Sequence, residues 1–192
     1  MQRRWLALIL PMLVVGCGYN RIQTLDEQAS AAQGNIQVQL QRRADLIPNL
    51  VETVKGYAKQ EQEVFTRVAE ARAKLGGAIR SNDPEQMANA NAELTGALGR
   101  LLAISEAYPQ LKSDQNFIRL QDELAGTENR IAVSRSDYNQ AAQQYNTYIR
   151  RFPAALTAKV TGARPRNYFE VTTPGARDAP KVDFSTAPSK DS

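Results

Sequence analysis

The sequence predicts an all-α protein: an elongated antiparallel up-and-down bundle of three long helices, followed by a short C-terminal helix and an extended tail. Three observations carry this. The 192 residues include 27 Ala and 16 Gln, residues that favour helix over sheet. Apolar residues recur at alternating spacings of three and four through three long stretches, the period of a buried helix face. No stretch of strict apolar–polar alternation interrupts them.

The chain opens on a basic pair, Arg3 and Arg4, before an apolar run from Trp5 to Val15 that is broken only by Pro11. At ~1.5 Å per residue the run spans roughly 17 Å as a helix, against a hydrocarbon core of roughly 30 Å. That length suits a signal peptide better than a transmembrane helix. It ends in Val14-Val15-Gly16-Cys17, which resembles the lipobox of bacterial lipoproteins and makes Cys17 the expected lipid anchor. Several acyl chains on one residue meet the requirement of stable anchoring for two or more tails. Gly18 stands where an Asp would hold a lipoprotein at the inner membrane, so sorting to the outer membrane is permitted. The expected placement is the bacterial cell envelope, lipid-anchored and facing the periplasm.

Thr24 followed by Glu27 is a capping-box pattern and marks the expected start of helical sequence. The first stripe runs through Ile36, Leu40, Arg43, Ile47, Leu50, Val54, Tyr57, Glu61, Val64, Val68, Ala71 and Leu75, with Gly76-Gly77 as its expected end. Val51, Ala58 and Phe65 widen it into a bundle-facing surface. Pro48 lies inside this pattern and removes a backbone donor; because the phase continues across it, a kink rather than a break is expected. Asp83-Pro84 starts the second helix, with Asp83 as cap and Pro84 in the first turn. Its stripe is Met87, Ala90, Leu94, Ala97, Leu101, Ile104 and Tyr108, and Gly96 and Gly99 suggest a close helix approach. The third helix is expected from Leu111–Asp114 to about Arg151, with the stripe Phe117, Leu120, Leu124, Thr127, Ile131, Ser134, Tyr138, Ala141, Tyr145, Tyr148 and Phe152. Beyond Phe152-Pro153, a short helix over Ala154–Val160 precedes a Pro-rich segment. There Arg164 to Glu170 reads as extended, with aromatics that pin back onto the bundle, and the chain after about residue 172 as a mobile tail. The expected division is 1–17 signal peptide, 18–160 bundle and 161–192 extended segment.

Composition excludes much chemistry. With no His and one Cys, a His-ligated zinc site, a Ser-His-Asp triad, a Cys/His pair and a C-x-x-C redox pair are all ruled out. The net charge of +4, of which Arg3 and Arg4 supply two, does not describe a nucleic-acid binder. Glu61, Glu52 and Glu70 with Asp122, Glu123 and Glu128 could suggest a carboxylate-bridged metal, but di-iron bundles need Glu-x-x-His. Glu61 is instead expected to pair with an Arg of another helix, Arg130 or Arg135. No cofactor is expected.

Several stretches resemble the LemA family. They are Gln41-Arg42-Arg43-Ala44-Asp45-Leu46-Ile47-Pro48-Asn49-Leu50-Val51 with its continuation to Ala58, Val68-Ala69-Glu70-Ala71-Arg72, and Tyr108-Pro109-Gln110-Leu111-Lys112. Leu120 to Leu124, Glu128-Asn129-Arg130-Ile131-Ala132, Arg135, Tyr138-Asn139, Tyr145-Asn146, Phe152-Pro153 and Tyr168-Phe169-Glu170 complete the set, from roughly Gly18 to Glu170. The resemblance implies a four-helix up-and-down bundle on a bacterial membrane anchor with no established activity. The Cys17 ending departs from members that resemble signal-anchored proteins. By analogy alone it also suggests a link to membrane proteases and envelope quality control.

Arg42, Arg43, Asp45, Pro48, Asn49, Glu128, Arg130, Arg135 and Tyr138 are the candidate interaction or structural residues. Asp45, Pro48 and Asn49 could form a recognition elbow, or a kink held by an Asp or Asn side chain. Tyr108, Tyr138, Tyr145 and Tyr148 read as packing rather than a stacking platform. Arg42-Arg43, Arg150-Arg151, Lys159, Arg164 and Arg166 read equally as headgroup contacts or as solvated helix charge. The leading function is a non-enzymatic envelope lipoprotein, anchored through Cys17, that presents a helical face to protein partners. The alternatives are a small-molecule or lipid binder near Pro48, Gly96 and Gly99, and a carboxylate hydrolase needing two acids about 5–10 Å apart.

Overall fold

A computed structural model describes the backbone of residues 2–171 and the side chains of residues 18–171. Six helices follow in order: α1 (Gln2–Tyr57), α2 (Gln62–Ser81), α3 (Pro84–Ala107), α4 (Pro109–Lys112), α5 (Gln115–Arg150) and α6 (Ala154–Thr161). No strand occurs among the described residues. The chain is an all-α bundle, as its periodicity requires.

The rod expected from Ile36 to Leu75 is two antiparallel helices. The turn falls at residues 58–61, where Gly56 weakens the helix and Lys59-Gln60-Glu61-Gln62 offers nothing apolar to bury. Gly76 and Gly77 lie inside α2, which ends instead at Asn82 in the left-handed conformation, φ 57°. A four-residue turn uses up about one helical turn of sequence. The heptad phase therefore survives a reversal that the phase alone cannot reveal. Reversal gives Phe65, Val68, Ala71 and Leu75 partners on both sides, where a continuous rod would leave them with one.

Four helices thus form an up-and-down bundle. α2 returns along α1, placing Arg72 at Ala44 and Asn82 at Gln33. α3 rises beside them, and α5 descends along the whole of α1 from Tyr57–Asp114 to the end near Gly18. Asp83 caps α3 by accepting from Glu85 N–H, and Asp114 caps α5 by accepting from Asn116 and Phe117 N–H. Thr24 caps nothing: α1 is already helical there, and its hydroxyl donates to Asn20 O one turn back.

The main core holds Ile36, Leu40, Ile47, Leu50, Val54, Leu75, Met87, Leu94, Leu101 and Phe117, all almost completely buried. A smaller cluster of Ile22, Leu25, Tyr145, Ile149 and Ala158 joins α1, α5 and α6 at the other end. The buried face of α5 shifts along its length. Past Tyr138 it follows Ala142, Tyr145, Asn146 and Ile149 rather than Ala141, Tyr148 and Phe152, and Phe152 is 83% exposed. A helix of 3.6 residues per turn drifts about 20° per heptad against a strict seven-residue repeat. Thirty-six residues are enough for that drift to move the seam.

Candidate functional site

The signature segments converge on one level of the four-helix bundle. Arg43 of α1 is buried, with its side chain 5% exposed, and its Nη1 lies 2.5 Å from Glu128 Oε2 of α5. The same nitrogen donates to Asn91 Oδ1 at 2.6 Å and Thr95 Oγ1 at 3.1 Å, both on α3. Burial lowers the guanidinium's affinity for its proton, and the Glu128 carboxylate counters that. Its Nε has no hydrogen-bond partner among the described residues.

Five residues along, Pro48 creates a second polar problem. Lacking an N–H, it leaves the Ala44 carbonyl, four residues back, without its helical donor. Arg72 of α2 supplies one: its Nε donates to Ala44 O at 2.8 Å. The group that answers Pro48 is therefore Arg72, and not an Asp or Asn side chain. Asp45 accepts from Gln41 Nε2 at 2.8 Å on the exposed face, and the Asn49 carbonyl accepts from Thr53. Helix α1 runs through Pro48 unbroken. With Arg43 and Arg72 engaged, α1, α2, α3 and α5 are cross-tied at one height. Pro48 and the Arg of Val68-Ala69-Glu70-Ala71-Arg72 are two halves of one device.

The remaining candidates lie apart from this layer. Arg42 is exposed beside Asp45 on the rim of a shallow groove of about 510 Å³ between α1 and α2, lined also by Val38, Leu46 and Ile79. Arg130 is exposed and donates to Gln39 Oε1 at 3.1 Å. Arg135 lines a polar groove of about 680 Å³ with Asn139 and Tyr168. Neither meets Glu61, which sits in the α1–α2 turn just before α2, so the expected pairing of Glu61 does not form. The buried charge is Arg43, and Glu128 answers it. Among the described residues no three potential ligands from Asp, Glu, Cys or His gather into a metal-holding group.

Tyr138 is fully buried, and its hydroxyl donates to Asn167 O at 2.6 Å. That bond belongs to a second assembly, residues 163–171, which run extended along α5. Two α5 asparagines one heptad apart bind this strap as a neighbouring strand would. Asn146 donates to Arg166 O and accepts from Arg166 N–H; Asn139 does the same with Phe169. Phe169 enters the main core. Arg166 reaches α1, where Nε donates to Asp26 Oδ1 at 2.8 Å and Nη2 to Ser30 Oγ at 2.6 Å. Its guanidinium also lies 5.9 Å from the centre of the Tyr145 ring. Burial works against the Arg166 charge, but Asp26 outweighs it and the proton is held more tightly than usual. Arg166 is thus a tie between strap and bundle, not a headgroup contact.

Sequence reasoning placed Arg43, Pro48, Glu128 and Tyr138 among the candidates and missed Arg72, Asn91 and Arg166 as their partners. A signal for Arg72 existed: a proline inside a helix declares an orphan carbonyl four residues back. The glycines mislead. Gly96 and Gly99 are exposed, and a Cβ on either would meet nothing within 4 Å, so they mark no close approach and no interior gap. Among the described residues no helix is long and apolar enough to cross a membrane. The Cys17 side chain and the chain beyond residue 171 lie outside the described residues.

The LemA family profile matches residues 32–184. The chain is similar to magnetosome protein MamQ 2 of Paramagnetospirillum magneticum, 31% identical over 79% of this chain and 64% of that protein. It is 32% identical to magnetosome protein MamQ of Magnetospirillum gryphiswaldense over the same shares. Protein LemA of Metamycoplasma hominis is 23% identical over 69% of this chain and 60% of its own length. The chain spans just under two thirds of these relatives. On the profile match, which covers most of its length, the chain belongs to the LemA family.

Proposed function

We propose that this protein is a membrane-anchored, non-enzymatic envelope lipoprotein whose helical bundle serves as a scaffold or adaptor for other proteins. Residues 1–17 act as the lipoprotein signal, Cys17 carries the lipid, and the bundle faces the periplasm. The observation that carries this reading is the groove between α1 and α2. There Val38 is 62% exposed beside Leu46 and Ile79, and the signature residues Arg42 and Asp45 form its rim. A shallow apolar strip edged by one cation and one anion suits an amphipathic helix of a protein partner. Arg43, Glu128, Asn91 and Arg72 support the scaffold reading, because they are engaged with one another inside the bundle rather than aimed into a cleft. The alternative, a small molecule held between the helices, loses its basis at Gly96 and Gly99, which face outward.

The test is photo-crosslinking in living cells from position 38, with position 133 on α5 as control. A discrete protein adduct at 38 that weakens in Arg42→Glu and Asp45→Lys variants is expected. Envelope quality-control and membrane-protease components are the first partners to look for. If position 38 captures only lipids and abundant porins, the adaptor reading fails.

A further inference from the structure

We infer that α6 is a second membrane contact, an interfacial helix that lays one apolar face on a bilayer carrying anionic headgroups. The first observation is that α6 is amphipathic in reverse. It turns its small residues Ala154, Thr157 and Ala158 into the bundle. Its large apolar residues point out, Leu156 being 61% and Val160 87% exposed, and Phe152 one turn earlier is 83% exposed. A helix stabilised only by the bundle would bury Leu156 and Val160, since removing large apolar side chains from water favours folding. Leu156 and Val160, four residues apart, share one outward face of α6, and Phe152 is exposed just before the helix begins.

Position identifies that phase. α6 packs where α1 leaves the bundle: a Cβ on Gly18 would lie 3.2 Å from Thr157 Oγ1. Gly18 directly follows Cys17, the residue that carries the lipid in the proposed function. The exposed row therefore sits at the end of the molecule that the anchor would hold against lipid. Charge points the same way. From Tyr138 to Phe169 the sequence carries Arg150, Arg151, Lys159, Arg164 and Arg166 and no Asp or Glu. Arg166 is tied to Asp26, while the other four are exposed around α6. Basic residues flanking an outward apolar row are the pattern of an interfacial helix, whose apolar face sinks about 5–10 Å into the headgroup boundary. Exposed Tyr19 at the same end is an amphipathic ring of the kind found at that depth.

The inference rests on the anchoring part of the proposed function and not on any protein partner. It is tested with the lipidated protein, which has no Trp once the segment holding Trp5 is cut off, reconstituted in vesicles of phosphatidylethanolamine and phosphatidylglycerol with acyl-chain-brominated lipid. Trp is placed singly at Leu156, Val160 or, as control, Val133, all exposed positions at which folding is checked by circular dichroism. About twofold bromine quenching with a blue shift is expected at 156 and 160, and none at 133. Lys159→Glu with Arg164→Glu should reduce the quenching, since each basic residue near an anionic surface strengthens attachment by roughly fivefold. If the chain floats with the vesicles while 156 and 160 stay unquenched, this inference fails and the anchor stands. If the chain does not float, both fail. A blue shift at 160 without quenching would mean that the face is covered by protein, and would also overturn the inference.

Discussion

Pro48 and Arg72 should be coupled through an atom that belongs to neither, the Ala44 carbonyl oxygen. That oxygen is cut off from the usual helical donor and accepts Arg72 Nε at 2.8 Å. A hydrogen bond from a charged donor contributes about 1.5–3 kcal/mol, and Arg72 lies on the exposed side of α2, so the lower end applies. Arg72→Leu should therefore destabilise the protein by ~1.5 kcal/mol. In a Pro48→Ala background the restored N–H bonds to Ala44 O within the helix, and Arg72→Leu should then cost only about 0.5 kcal/mol. The coupling of roughly 1 kcal/mol stands clear of the 0.3–0.5 kcal/mol scatter of independent sites. Urea unfolding of the wild type, both single variants and the double variant, followed by circular dichroism, measures it directly. In thermal melts 1 kcal/mol corresponds to about 2–4 °C. If the two substitutions add within the scatter, the carbonyl exchange is not how this helix accommodates its proline.

Four further outcomes follow from the same geometry. Glu128→Ala strands the buried Arg43 guanidinium; because Glu128 itself is 45% exposed, the loss should be about 2 kcal/mol by urea unfolding, below that of a fully buried pair. Asn146→Leu removes both bonds to Arg166 and should free the strap, so limited proteolysis should cut near residues 163–168 faster than in the wild type while the bundle stays folded. Gly96→Ala and Gly99→Ala, on exposed mid-helix positions with empty space around them, should each stabilise by roughly 0.5–1 kcal/mol in thermal melts. Stability should also fall at both pH extremes. Tyr57 is held above its ordinary value by its hydrogen bond to Asp114, and Tyr138 and Tyr145 chiefly by burial; their contribution is complete below about pH 10 and is lost as pH rises through the folded values. Asp114 is held low, first by the Phe117 N–H and then by Tyr57; its contribution is present above about pH 3.9 and is lost as pH falls through the folded value. Paired acid and alkaline urea titrations, repeated with Tyr57→Phe, check both signs.

Much of this architecture was legible because helix periodicity is a local property. The α3 cap at Asp83-Pro84, the start of α5 beside Asp114, the short helix after Phe152-Pro153 and the pinned aromatic of the strap each follow from a few adjacent residues. The reversal at residues 58–61 does not, since a turn that consumes one helical period leaves the apolar phase intact. The drift of the α5 seam to Ala142 and Ile149 is hidden for a related reason: only a packed partner shows where 3.6 has departed from 3.5. The glycines of α3 show the converse, in that a small residue permits close approach without causing it.

The sequence by itself determined that the chain forms helices, most of the residues that they bury, which chemistries its missing histidines forbid, and which family motifs it carries. Only the tertiary structure decided who answers whom. It sends Arg72 to the carbonyl that Pro48 orphans, Glu128 to Arg43, Arg166 to Asp26, and turns Leu156 and Val160 away from the core. The physical reason is range: propensity and periodicity act between residues a few positions apart. Desolvation instead requires each buried polar group to find a partner wherever in the chain one comes within about 3 Å.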